Sequence, residues 1–247
     1  MARNQALMQP PVIILLRPQM GENIGASARA MKNCGISELR LVAPRDGWPN
    51  PDAVPMASSA TDILDNAELY DDIGAALHDV TLAFATTARR RDMVKPELNP
   101  RQAAEMTAKQ PQEAGQRIAF LFGAERSGMD NEEAVLADYI VSADLNPEFS
   151  SLNLAQAVLM ISWEWRMAAL GTEAAESDAL WPELATLQDR DFFFSRFEAM
   201  LDEKEFFATA EMAPVVKRNL RAFFTRATPT KQELRTWHGI LTKLEKS

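Results

Sequence analysis

The sequence predicts an α/β fold built on a mostly parallel sheet. Three observations carry that expectation. Short continuous apolar runs, such as Val12 to Leu16 and Val80 to Ala85, read as strands buried on both faces. Helical patterns separate these runs, and the alternation implies strands joined by crossovers. The runs lead into loops holding Gly, Pro or small polar residues, and ligands bind outside the carboxyl ends of such strands.

Taken in order, Val12 to Leu16 is the first strand, followed by a loop with Pro18, Gly21 and Glu22. Asn23 to Cys34 reads as a helix, small on one side (Gly25, Ala26, Ala28, Ala30) and ending at Gly35. Leu39 to Val42 is the second strand, and Pro44 to Pro55 is Pro-rich and irregular. A brief strand at Ala67 to Tyr70 precedes a helix at Asp71 to Leu77. Val80 to Ala85 leads into the loop Thr86 to Arg91, and Pro100 to Gln110 is helical. Arg117 to Phe122 runs into Gly123-Ala124-Glu125-Arg126-Ser127-Gly128. Asn131 to Leu136 gives a helical turn or two, and Tyr139 to Ser142 is the last strand.

Asn146-Pro147 then breaks the extended run, because Pro disfavours the α region for the residue before it. Ser150 or Ser151 reads as the N-cap of a helix whose apolar residues recur at Leu152, Leu154, Val158, Ile161 and Trp165. Gly171 to Asp178 is small and acidic and reads as a linker. Four helices follow at Leu180 to Gln188, Phe192 to Asp202, Pro214 to Arg226 and Thr230 to Lys246. Phe192, Phe193, Phe194, Phe197, Phe206, Phe207, Phe223 and Phe224 are expected to share their core. Thr230 with Glu233 fits a capping box for the last of them.

Composition narrows the function. The 247 residues are 47% hydrophobic and 25% charged, so a full core is expected. A single cysteine, Cys34, excludes an internal disulfide and a cysteine-based zinc site. With only two histidines, no structural metal is expected. No apolar run reaches the roughly 18 residues that span a bilayer, and Met1 to Pro11 lacks a signal-peptide apolar segment. The expectation is a cytoplasmic protein without a membrane contact. The net charge of −9 disfavours nucleic acid as a partner, since phosphates attract Lys and Arg. The charge is uneven, however. Lys217, Arg218, Arg221 and Arg226 begin a basic tail, and Arg89-Arg90-Arg91 form a second basic cluster.

Four loops are candidates for chemistry: Pro18 to Gly25, Thr86 to Arg91, Gly123 to Gly128 and Ala143 to Ser151. Arg29 lies on the first helix among small residues, where its planar fork suits a phosphate or pairs with Glu22 or Glu125. Gly123 and Gly128 flank Glu125 in a loop that must turn sharply. No G-x-G-x-x-G follows the first strand, so the common dinucleotide fingerprint is missing.

Three segments, N-I-G-A-S-A-R-A (23–30), L-F-G-A-E-R-S-G-M (121–129) and N-P-E-F-S-S-L-N-L-A-Q-A-V (146–158), resemble in order and spacing the signature motifs of the SPOUT RNA methyltransferases of the TrmH class. The Arg-rich loop and the segment 219–234 further resemble the TrmJ subgroup, which 2'-O-methylates nucleotide 32 of the tRNA anticodon loop. The resemblance implies a SPOUT domain over 1–172 with a deep trefoil knot at its C-terminal end. It also implies a small all-α, tRNA-binding extension over 173–247 and an obligate homodimer.

S-adenosyl-L-methionine is the implied cofactor, held by Thr86, Thr87, Ala88, Gly123, Ala143, Ser150, Ser151 and Leu152. Asn23, Arg29, Glu125, Ser151 and Asn153 match the family's catalytic residues. Arg89 and Arg91, with Lys217, Arg218, Arg221 and Arg226, are the implied RNA contacts. One departure stands out: where the subgroup carries G-R-E, this chain has Gly123-Ala124-Glu125. The rivals are methylation of ribosomal RNA or of another tRNA site, a tRNA-binding factor without methyl transfer, and an unrelated nucleotide-binding α/β domain.

Overall fold

A computed structural model describes residues 9–87, 95–108, 116–171, 183–207, 209 and 211–245. Seven strands form its sheet: β1 (Val12–Leu16), β2 (Leu39–Val42), β3 (Glu68–Tyr70), β4 (Leu82–Thr86), β5 (Glu97–Leu98), β6 (Ile118–Phe122) and β7 (Tyr139–Val141). Their order is β3-β2-β1-β6-β4-β7-β5 and every pairing is parallel. The helices between them are α1 (Gly21–Cys34), α2 (Ala53–Ala57), α3 (Thr61–Asp65), α4 (Ile73–Ala76), α5 (Pro100–Ala108), α6 (Asn131–Ala134) and α7 (Leu154–Gly171). After them come α8 (Leu187–Glu203), α9 (Ala213–Ala227) and α10 (Lys231–Leu244).

The central strands β1, β4 and β6 are apolar, Thr86 apart, because both faces of the sheet are covered there, whereas β2 carries Arg40 and the edge strands β3 and β5 carry Glu68 and Glu97. Ile13 and Leu15 of β1 pack with Ile24 and Met31 of α1 and with Val158, Ile161 and Trp165 of α7. Val12, Ile14 and Leu16 point the other way, into a cluster with Leu77, Val80, Met129 and Ala134. Phe84, Phe120 and Tyr139 stack across neighbouring strands with centroids 4.9 and 5.4 Å apart. Cys34 is buried at the end of α1, and that burial pushes its thiol above the ordinary value, so it serves as a core side chain. Gly25 lets α1 lie against α2: a Cβ there would sit 2.0 Å from the Ala53 carbonyl oxygen.

The helix after β7 begins later than expected. Its cap is Asn153, whose Oδ1 accepts from Ala155 N–H at 2.9 Å, and neither Ser150 nor Ser151 takes that place. The expected helix at Leu180 to Gln188 is also corrected within the described residues. Leu184 pairs with Thr230 in an antiparallel bridge, and the helix starts only at Leu187, after a capping box between Thr186 and Asp189. Part of the Pro44 to Pro55 stretch is helical, since α2 starts at Ala53. The Thr230–Glu233 capping box is present.

The C-terminal helices surround Phe193, Phe194, Met200, Phe224, Leu234 and Leu241. Phe192, Phe206 and Phe223 stay 67%, 57% and 57% exposed, so those three do not join the core expected for them. A buried ion pair fastens α8 to the sheet. Arg190 donates to both oxygens of Asp138, with the side chains 2% and 1% exposed. Arg190 also reaches the Thr81 carbonyl, and Asp138 accepts from Ala83 N–H at 2.8 Å. Leu187 N–H adds a bond to the Val80 carbonyl at 2.8 Å. Removing one partner of such a pair strands a desolvated charge. Asp138→Ala is therefore expected to destabilise the fold by about 3–5 kcal/mol. A urea titration checks this, and an unchanged midpoint would show that the pair contributes nothing net.

Candidate active site

The site is assembled from three loops at the carboxyl ends of β1, β6 and β7. After β1 the chain turns at Arg17, whose φ is 48° and whose guanidinium grips the Glu133 carboxylate of α6. That places Gln19 and the start of α1 above the loop after β6. Glu125 of that loop accepts from Gln19 N–H and from Asn23 Nδ2, both at 2.8 Å. Asn23 Oδ1 in turn accepts from Asn153 Nδ2 at 2.9 Å.

These bonds have a fixed sense. An ionised carboxylate can only accept, so Asn23 must turn its NH2 toward Glu125 and its oxygen toward Asn153. Asn153 then turns its own oxygen to the N-terminus of α7, and its N–H donates to Gln156 Oε1 at 3.1 Å. Three segments separated by more than a hundred residues, or by nearly thirty, are locked in one arrangement. Asn23 is 9% exposed, so breaking a link leaves a buried amide unpaired.

The loop after β6 is a tight turn. Gly128 N–H donates to the Ala124 carbonyl at 2.7 Å, and Gly128 holds φ 67°. A Cβ on Gly123 would lie 2.2 Å from Met129 N, so only glycine lets the strand run into this turn. Ala124 is 3% exposed beneath it.

Below the network lies a cavity of about 290 Å³. Thr86, Thr87, Gly123, Ala143, Ser150, Ser151 and Leu152 line it, together with Phe122, Val141, Leu145, Met160 and Ile161. Glu125 and Arg126 reach it as well. Its floor is apolar, and Thr86 Oγ1 is already bonded to the Leu121 carbonyl at 2.8 Å. Backbone groups and a few hydroxyls above an apolar floor suit a planar, uncharged ring system such as adenine.

Among the expected catalytic residues, Asn23, Glu125 and Asn153 meet through hydrogen bonds, and Ser151 joins Glu125 at the cavity. Arg29 stands apart: it is exposed on α1, lines no part of this cavity, and pairs with neither Glu22 nor Glu125. Ala88, Arg89 and Arg91 lie outside the described residues. In the tail, Lys217 holds Asp202 at 2.7 Å and Arg218 holds Glu132 at 3.1 Å. Arg221 is half-buried, bonded to Glu198 and Asp191, and stacked on Phe194. Sequence reasoning passed over Gln19, whose contribution is a backbone N–H, and Arg126, although that residue lies inside a quoted motif.

A larger cavity of about 350 Å³ lies between α4, α6, α8 and α9. Its arginines, Arg190 and Arg221, are committed to carboxylates, and none of the three motifs reaches it. No cluster of three or more His, Cys, Asp or Glu fit for a metal occurs among the described residues. No helix among them is long and apolar enough to cross a membrane.

The SpoU rRNA Methylase family pattern matches residues 10–163. The chain is 36% identical over 238 residues to the tRNA (cytidine/uridine-2'-O-)-methyltransferase TrmJ of Photorhabdus laumondii, covering 95% of this chain and 96% of that one. It is also 36% identical over 242 residues to the tRNA (cytidine/uridine/adenosine-2'-O-)-methyltransferase TrmJ of Pseudomonas aeruginosa, covering 95% and 93%. The crystal structure of TrmJ from Z. mobilis superposes with a TM-score of 0.85 at 41% identity, covering 95% and 99%.

The glycine requirement yields a direct test. Gly123→Ala forces the Gly128–Met129 backbone away from β6 and distorts the cavity wall. S-adenosyl-homocysteine affinity, measured by calorimetry, should fall by at least about tenfold, roughly 1.4 kcal/mol. Undiminished affinity would place the ligand elsewhere.

Proposed function

The chain belongs to the SpoU rRNA Methylase family, and from that premise we propose that it transfers a methyl group from S-adenosyl-L-methionine to a ribose 2'-oxygen of tRNA, at nucleotide 32 of the anticodon loop. The observation that carries this reading is the Glu125–Asn23–Asn153 chain of hydrogen bonds, which gathers all three signature segments over one cavity. The TrmJ relatives favour tRNA over ribosomal RNA as substrate. A tRNA-binding factor without methyl transfer would have no use for so fully connected a network.

When bound, the cofactor supplies a methyl already activated on a cationic sulfonium. The protein's task is therefore alignment of the attacking oxygen with that methyl. Thr87, Gly123 and Leu152 would hold the adenosine part in the cavity that Val141 and Ile161 also line. Ser151, exposed at the mouth, orients the hydroxyl or the cofactor carboxylate. Arg29 binds the neighbouring phosphate and eases departure of the 2'-OH proton electrostatically. A guanidinium keeps its proton, so it is no general base.

Arg29 lies away from the cavity of its own chain, which favours an active site shared between two copies. A second feature supports a homodimer. Leu159, Trp163, Met167 and Leu170 of α7 are 43%, 53%, 38% and 47% exposed. At 100° per residue all four fall on one stripe, and such a stripe is covered in a functional assembly. We further propose that the segments after β6 and β7 thread a deep trefoil knot. Their convergence on one cavity, Gly123 beside Ser150 to Leu152, supports that path.

The proposed organisation is a methyltransferase domain over 1–172 and a helical tRNA-binding extension over 173–247, acting in the cytoplasm. In the extension, Lys217 and Arg218 can exchange a surface carboxylate for a phosphate, and Arg226 adds charge. Arg221 keeps α8 and α9 together. Arg89 and Arg91, just beyond Thr87 in sequence, supply charge nearer the cofactor.

The test is tritiated-methyl transfer to bulk tRNA followed by mapping of the labelled nucleotide. Label at nucleotide 32 is expected. No incorporation overturns the activity, and label at another nucleotide overturns the position. Arg29→Ala should lower turnover by about 10²–10³-fold, as loss of one charge-stabilising donor does, while S-adenosyl-homocysteine affinity is retained. Wild-type turnover by that variant would remove Arg29 from the site. Trp163→Glu should yield a monomer by light scattering, inactive in the same assay; a persistent dimer would move the interface off α7.

A further inference from the structure

Most arginines of this acidic protein are already committed. Among the described residues, only Arg29, Arg126 and Arg235 make no hydrogen bond or ion pair. Arg126 is the one that lines the cavity.

Its surroundings sharpen the point. Arg126 follows Glu125 directly but does not pair with it, because that carboxylate is taken by Gln19 N–H and Asn23 Nδ2. The turn that carries Arg126 is closed by the Gly128-to-Ala124 backbone bond at 2.7 Å, so its backbone is fixed. The lining of the cavity runs from buried Val141 and Ile161 to exposed Arg126, Ser150 and Ser151, which therefore form its mouth. Arg45 also lies near Glu125, yet its fork is closed by Asp46 at 2.7 and 2.8 Å and by the Gln19 carbonyl at 2.5 Å. Among the described residues, Arg126 is thus the open guanidinium at the mouth.

We propose that Arg126 is a substrate-binding residue that grips a phosphodiester of the RNA strand beside the target ribose. This rests on the reading of the protein as a tRNA 2'-O-methyltransferase. An exposed, unshared guanidinium takes two oxygens of a phosphate at once, a geometry that an ammonium lacks. The cofactor carboxylate is the other anion near this mouth. Ser151 can hold that group, whereas an RNA strand must cross the mouth to present its ribose.

The experiment compares wild type, Arg126→Gln and Arg126→Lys in tritiated-methyl transfer to bulk tRNA across a salt series, with S-adenosyl-homocysteine affinity measured by calorimetry. For Arg126→Gln, KM for tRNA should rise by about tenfold, with kcat little changed. The plot of log kcat/KM against log salt should flatten by about 0.7, the contribution of one phosphate on a single strand. S-adenosyl-homocysteine affinity should stay at the wild-type value. Arg126→Lys should recover the salt slope but only part of the KM, since it keeps the charge and loses the fork.

An unchanged KM and slope in Arg126→Gln overturns the assignment. So does weaker S-adenosyl-homocysteine binding with unaffected tRNA kinetics, which would identify the anion as the cofactor carboxylate. If wild type transfers no methyl to tRNA, the functional reading falls and takes this contact with it. If wild type is active and Arg126→Gln matches it, only the contact falls.

Discussion

One carboxylate holds the site together. Glu125 accepts from the backbone of Gln19 and the side chain of Asn23, and through Asn23 it fixes Asn153 at the head of α7. Each bond settles the orientation of the next amide, so the arrangement has one consistent form rather than several. The loops after β1, β6 and β7 would otherwise be independent surface segments, of the kind that opens first in a folded protein. Bound to a single carboxylate they are held in one arrangement, and the loops after β6 and β7 join Thr86 and Thr87 as walls of one cavity, shaped before any ligand arrives. Preorganisation of this kind is what an alignment-limited methyl transfer needs.

The sheet beneath supplies the other half of that rigidity. Strands buried on both faces set the height of the loops, and Gly123 and Gly128 let the chain double back at once. The Asp138–Arg190 pair ties α8 to β7, on the strand whose far end opens into the cavity. Removing the C-terminal helices would therefore leave Asp138 buried without its cation. Their contribution to RNA binding is better examined by single substitutions at exposed residues. Lys95 adds a similar tie, donating to the Val135 and Ala137 carbonyls; desolvation holds its pKa down to about 8.

Much of this was legible in the residues, and the exceptions share a cause. β1 is a continuous apolar run and β2 an apolar run interrupted only by Arg40, and their bounds in the structure match those read from the sequence. β5 has two residues and no apolar run, and only its pairing with β7 makes it a strand. Local sequence points to Ser150 or Ser151 as the cap of α7, and the structure has Asn153 there instead. The long-range bond from Asn153 to Asn23 favours the amide. Eight phenylalanines suggested one aromatic core, but three face outward: Phe192 and Phe223 sit on the outer sides of α8 and α9, and Phe206 lies past the end of α8. The basic tail looked free in one dimension, yet Asp191 and Glu198 on α8 reach across to Arg221 on α9. Local patterns identified elements and loops, while choices made by distant partners did not show.

The central claim is that the Asn23–Asn153 link couples the start of α1, and through it Glu125 of the loop after β6, to the head of α7. A double-mutant cycle measures it directly, using Asn23→Ala, Asn153→Ala and the pair together, with S-adenosyl-homocysteine affinity by calorimetry as the readout. The account predicts that the double variant loses much less than the two single losses combined, a coupling of about 0.5–3 kcal/mol. Strictly additive losses would mean that the two residues act alone, and that the cavity is held together by something else.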